Sequence, residues 1–149
     1  MTITDYIKLM KYITLLLLGS ISLAYAQLPI IEDHWLRAAP PNANMMAAYG
    51  KVINASDNDR HLVGAYSPAF SMTEIHKTII TDGIARMVHQ PELLIKPGDS
   101  ISFKPGGLHI MLMHPIIKYD LGDLIKINLI YQQDEKKIIQ EVWFPVQKR

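Results

Sequence analysis

The chain has 149 residues, 15 Lys and Arg against 14 Asp and Glu, a length that suggests one domain able to bury its own core. With charges so balanced and no basic run interleaved with aromatics, there is no electrostatic reason to expect nucleic acid or an anionic membrane surface as partner. The chain holds no cysteine, which excludes disulfides, thiolate metal sites, a thiol nucleophile and the blue-copper type of electron-transfer centre.

The first 26 residues read apart from the rest. Lys8 and Lys11 precede the apolar run Ile13 to Leu18, and Ala24-Tyr25-Ala26 is a small-x-small cleavage site. This is the pattern of a secretory leader, with the cut after Ala26 and Met10 as an alternative start. The competing reading is an uncleaved anchor, but the apolar stretch Ile13 to Ala26 is short for a span. Residues 27–149 carry 13 basic and 13 acidic side chains. They are expected to form the mature domain, with no membrane span and no Cys to take a lipid.

From residue 33 the chain reads as short strands broken by turns. Strand candidates are His34 to Ala39, Ala47 to Asn54, Leu62 to Tyr66 and Met72 to Ile80. Between them lie the loop Pro40 to Asn44 and the turn residues Ser56-Asp57-Asn58-Asp59. Asp82-Gly83 is a strong hairpin signal and predicts Ile84 to His89 as the partner of the preceding strand. Leu93-Leu94-Ile95 leads into the turn Lys96-Pro97-Gly98-Asp99, Ser100 to Phe103 alternates polar and apolar, and after the turn Lys104-Pro105-Gly106-Gly107 comes the strand candidate Leu108 to Met113. Asp123 to Tyr131 alternates polar and apolar, and Lys137 to Phe144 closes the domain. No window offers a long stripe of helical period. Seven to nine strands at this spacing predict an all-β fold, a single antiparallel β-sandwich.

Four residues on these strands carry a chemistry: His76, Met87, His109 and Met111. Thioether sulfur is a soft, uncharged donor that suits Cu(I), with imidazole beside it. His109 and Met111 stand at i, i+2 and leave a strand on one face. With the hairpin turn at 82–83, opposed positions sum to about 165, so Met87 should lie near Thr78, one same-face step from His76. The tight turn before His109 should put that pair at a strand end, near the rim of the sandwich. Met72, His89, Met113 and His114, and with them Met45 and Met46, are candidates for a surrounding shell, either for a soft ion or as an apolar docking patch. Taken singly, each His is more often an ordinary hydrogen-bonded residue and each Met core filler.

The intervals are ten residues from His76 to Met87, twenty-one to His109 and one to Met111. This resembles the His-x10-Met-x21-His-x-Met signature of the periplasmic copper chaperones known as the PCuAC family. Flanking segments agree, among them Glu74-Ile75-His76, Arg86-Met87, Lys104 to Met113, and upstream Trp35 to Pro40 and Ala47-Ala48-Tyr49 with Asn54. The resemblance covers nearly all of residues 27–149. It implies a cupredoxin-like Greek-key sandwich in the periplasm holding one Cu(I) per chain by those four side chains. It also implies a copper-acceptor protein as partner, either a cytochrome c oxidase subunit or another copper chaperone. One position departs: the family often has Met directly after the first His, and here it is Lys77.

Two other readings stay open at this stage, a secreted interaction module without metal and a general periplasmic copper buffer. An enzyme is not expected, since no Gly-x-Ser-x-Gly elbow, His-Glu-x-x-His helix or phosphate-cradling loop is present. A Cu(II) site near His89 or His114 is left undecided.

Overall fold

The computed structural model describes residues 3–4, 27–40 and 42–149. The leader expected over residues 1–26 lies, but for Ile3 and Thr4, outside them, as does Pro41 of the loop. The described residues form ten strands: β1 (Ile30–Arg37), β2 (Met45–Ile53), β3 (Arg60–Tyr66), β4 (Phe70–Thr81), β5 (Ile84–His89), β6 (Leu93–Ile95), β7 (Ser100–Phe103), β8 (Leu108–Pro115), β9 (Leu124–Gln133) and β10 (Lys136–Gln147). Among the described residues no helix is long and apolar enough to cross a membrane.

The strands run in the order β5-β4-β8-β7-β2-β1-β10-β9-β3-β6, and β2 also pairs directly with β8. The junction between β1 and β10 is narrow, Leu36 beside Val146 and Arg37 beside Gln147. On either side of it the sheet folds over, so that two layers share one core. Leu36, Val52, Ile75, Ile110 and Leu112 come from one layer, and Leu62, Ile127, Leu129, Tyr131 and Phe144 from the other. In β9 the alternation read from the sequence is the alternation observed: Ile125, Ile127, Leu129 and Tyr131 are buried.

Two details differ from the expectation. There are ten strands rather than seven to nine, because the three residues Leu93–Ile95, read as leading into a turn, pair with β3 and form β6. The pairing is also not wholly antiparallel: β1 runs parallel to β10, and β7 parallel to β8 at Phe103 and Leu108. The first and last strands meet without a hairpin between them, so nothing imposes the antiparallel sense there.

The Asp82-Gly83 hairpin forms as predicted. Both residues take positive φ, 53° and 76°, the conformation of a type I′ turn, which matches the twist of the flanking strands. Its register pairs Thr78 with Met87 and His76 with His89, the sum of 165 expected from the turn position.

Asn54 ties the turns at one end of the sandwich together. Its fully buried side chain donates to the carbonyls of Asn58 (2.7 Å) and Ile95 (2.9 Å) and accepts from the Ser56 amide (3.1 Å) and hydroxyl (2.7 Å). Removing it strands several buried partners at once, each costly to leave unpaired. Asn54→Ala is therefore expected to lower stability by about 2–4 kcal/mol, read as a lower urea midpoint with unchanged strand content.

Candidate metal centre

The pairing of β4 with β8 builds the site. Ile75 lies opposite Ile110, and both side chains enter the core. Strand alternation then turns their neighbours to the other face of the layer. There His76 lies opposite His109, and Glu74 opposite Met111. On the far side β5 sets His89 opposite His76, and Met87 opposite Thr78. The four residues expected from the sequence thus stand on one face of three adjacent strands. The His76 and His109 rings are 6.0 Å apart between centroids, and those of His76 and His89 are 5.9 Å apart.

The turn before β8 fixes His109. Gly106 has φ 75°, a value that glycine takes without steric cost and that suits a Pro-Gly turn. The turn is closed by the Gly107 amide donating to Lys104 O at 3.0 Å. The Gly107 carbonyl then faces back along the strand and accepts from His109 Nδ1 at 3.1 Å. A carbonyl can only accept, so Nδ1 carries the proton and Nε2 of the neutral ring carries the lone pair. His76 is fixed in the opposite sense. Its Nε2 lies 2.8 Å from the Glu74 carboxylate, which leaves the lone pair of the neutral ring on Nδ1. The atoms left over, His76 Nδ1 and His109 Nε2, are both buried and have no hydrogen-bond partner.

A buried nitrogen lone pair without a donor is costly. One on each of two facing imidazoles, each ring held through its other nitrogen by a carboxylate or a carbonyl, is the arrangement of histidines prepared to ligate a metal. Among the described residues no three His, Cys, Asp or Glu side chains are gathered so as to hold an ion by themselves. A complete donor set on this face would therefore need the thioethers. The four side chains grade from inside to outside: His109 is 3% exposed and Met111 9%, whereas Met87 is 57% exposed. With no charged donor among them, they suit a soft monovalent ion.

His109 and Met111 stand near the Gly107 end of β8, the strand end expected, and both are buried on the outward face of the layer. Of the wider shell, His89 is directly beside His76, and Met45, Met72 and Met113 share the site's face. Met46 does not, for it pairs with Leu112 and lies in the core. His114 stands exposed at the end of β8 with φ 55°, off the regular pleat. Lys77 pairs with Val88 and Leu108 and so alternates away from His76. Sequence reasoning named Glu74 only as flanking text and missed its role as the anchor of His76. The available signal was its i, i+2 spacing, which puts carboxylate and imidazole on one face.

The family described as "LpqE-like: Putative lipoprotein LpqE-like" matches residues 30–142. The "Putative lipoprotein Lxx21020" of Leifsonia xyli is 33% identical over 100 residues, 66% of this chain and 59% of the relative. The chain spans just over half the length of the curated relatives it matches. Among solved structures, "Copper-bound PCuAC domain from PmoF2" superposes with a TM-score of 0.65 at 21% identity, covering 84% of this chain and 97% of that one. "Solution structure of CuI-DR1885 from Deinococcus Radiodurans" gives 0.62 at 28% identity, covering 84% and 83%. The likeness to the first is one of fold, a PCuAC-type β domain.

The hydrogen bonds make a prediction that needs no metal. Long-range proton–nitrogen correlation spectra of the metal-free protein should show His109 as the Nδ1–H tautomer and His76 as the Nε2–H tautomer. The reverse assignment at either ring would mean that its free nitrogen is not the one described.

Proposed function

Because the chain belongs to the LpqE-like family, of the PCuAC type, we propose that it binds one Cu(I) as cargo. The ligands are His76 through Nδ1, His109 through Nε2, and the thioethers of Met87 and Met111. The observation that carries this reading is the pair of buried, unpartnered ring nitrogens, one on each of two imidazoles that are direct cross-strand neighbours on β4 and β8. Both of these solved relatives are copper-bound forms, which supports it.

Four neutral donors leave only the charge of the ion in the site. Cu(I), soft and singly charged, accepts that set, whereas Cu(II) favours more nitrogen or oxygen donors in a tetragonal arrangement. Four protein ligands also leave no open position for turnover, so the protein is read as a carrier and not an enzyme. Release proceeds by ligand exchange. Met87 is the exposed ligand, so it leaves first as a donor from the acceptor enters, while buried His109 and Met111 hold the ion until the exchange is complete. Residues 1–26 serve as the export leader and 27–149 as the copper domain, working in the periplasm. The word lipoprotein in the names of the family and of the Leifsonia relative supports export. The acceptor proposed is a protein of cytochrome c oxidase copper-centre assembly, or a second copper chaperone.

A competition titration with a chromophoric Cu(I) chelator tests the site. The wild-type protein is expected to withhold one equivalent of Cu(I), and the His109→Ala/Met111→Ala variant, still folded, to give it up. Loss of the carboxylate that orients His76, in Glu74→Ala, should weaken binding roughly 10–100-fold. A folded wild-type protein that withholds no copper overturns the reading.

A further inference from the structure

The same face carries a second group of soft donors that the four-ligand site does not use. Met113 of β8 is the direct cross-strand partner of both Met45 on β2 and Met72 on β4. Three thioethers thus stand in one row across three adjacent strands. Directly opposed residues keep their Cβ atoms about 4.5–5.5 Å apart, and Met is unbranched with three rotatable bonds. The outer two sulfurs can therefore swing over Met113 and meet there. Nothing in the core holds them back: Met45 and Met72 are each about half exposed, and the buried methionine of this strand pair is Met46 on the opposite face.

The geometry points to a second soft-metal site formed by Met45, Met72 and Met113, selective for a monovalent d¹⁰ ion, Cu(I) or Ag(I). Three uncharged sulfurs have little affinity for Zn²⁺, Mg²⁺ or Cu(II), which prefer nitrogen and oxygen. Its place on the face gives it a role. Met113 is two residues from Met111 on the same side of β8, about 7 Å along the strand. The row between the two sites contains Ala47, Met111 and Glu74. Ala47 is the smallest side chain that could stand there with a Cβ, so it leaves the path between the sulfurs of Met113 and Met111 open. An ion captured by the exposed row can pass to the buried site by replacing one thioether at a time, with no charged donor intervening on β8. The existence of the second site is independent of the carrier reading. Its role as an antechamber rests on it.

Ag(I), a redox-inert soft ion, is the probe. It is titrated into the protein labelled at the methionine methyl carbons, and each methyl is followed by NMR. The first equivalent is expected to move the Met87 and Met111 methyls. The second should move Met45, Met72 and Met113 together to a saturating end point. Met45→Leu/Met72→Leu/Met113→Leu preserves size and should weaken the second equivalent at least tenfold while keeping the first. Met46→Leu should change neither. In His109→Ala/Met111→Ala the three-methionine response should persist. If it persists while Met87 and Met111 never respond even in the wild type, the four-ligand reading fails and this site stands. If the methyls of Met45, Met72 and Met113 stay still, move independently, or drift without saturation, the second site is overturned. Saturation of the same three by Zn²⁺ would overturn its soft-ion selectivity.

Discussion

The register between β4 and β8 is the constraint on which the molecule depends. Ile75 opposite Ile110 locks the two strands through the core. Because side chains alternate, that same register sets His76 opposite His109 and Glu74 opposite Met111 on the other face. A slip of one residue would drive imidazoles into the core and isoleucines into the site. Stability and site geometry are therefore decided by one alignment. It is held further by the type I′ hairpin on the β5 side and the Pro105-Gly106 turn at the start of β8.

Hydrogen bonds do the finer positioning. The Gly107 carbonyl and the Glu74 carboxylate each engage one nitrogen of an imidazole. This leaves the other nitrogen of each ring buried and without a partner. The two anchors differ in kind. The carbonyl is part of a turn and cannot leave without unmaking β8, whereas the carboxylate is a side chain on the same strand as its histidine. His109 is thus the more rigidly held ring and also the more deeply buried. His76, at the boundary with β5, lies beside His89 and nearer the exposed Met87. On the reading proposed above, a gradient from buried to exposed donors of this kind would suit directional release.

The sheet also accounts for the abundance of methionine outside the core. Met is usually an adaptable filler of apolar gaps, and Met46 is used in that way. Met45, Met72, Met87 and Met113 instead share the outer face with the histidines, on β2, β4, β5 and β8. Such an uncharged, polarisable group of side chains would offer a soft ion several exchangeable partners, and the one carboxylate in the rows that hold them is Glu74. That one carboxylate is engaged with His76.

Much of this was legible in the chain itself. The turn chemistry of Asp82-Gly83 determined the hairpin and its register, because positive φ at both central residues admits few alternatives. The alternation in residues 124–131 determined which side of β9 is buried. The intervals among His76, Met87, His109 and Met111 singled out four of many His and Met residues, and the sheet brings those four to one face. What the sequence did not decide was everything that depends on which strands become neighbours when they are far apart in the chain. The pairing of β4 with β8 brings residues 33 positions apart into contact. It makes Glu74 a neighbour of Met111, and together with the pairing of β2 with β8 it lines up Met45, Met113 and Met72 in a row while Met46 goes to the core. It buries His109 on the outward face of a layer, a degree of burial that the local pattern did not indicate. Local dihedral preference and side-chain period are properties of a few adjacent residues and can be read along the chain. Cross-strand neighbours and burial arise from the cooperative packing of the whole core, which no short window of sequence contains.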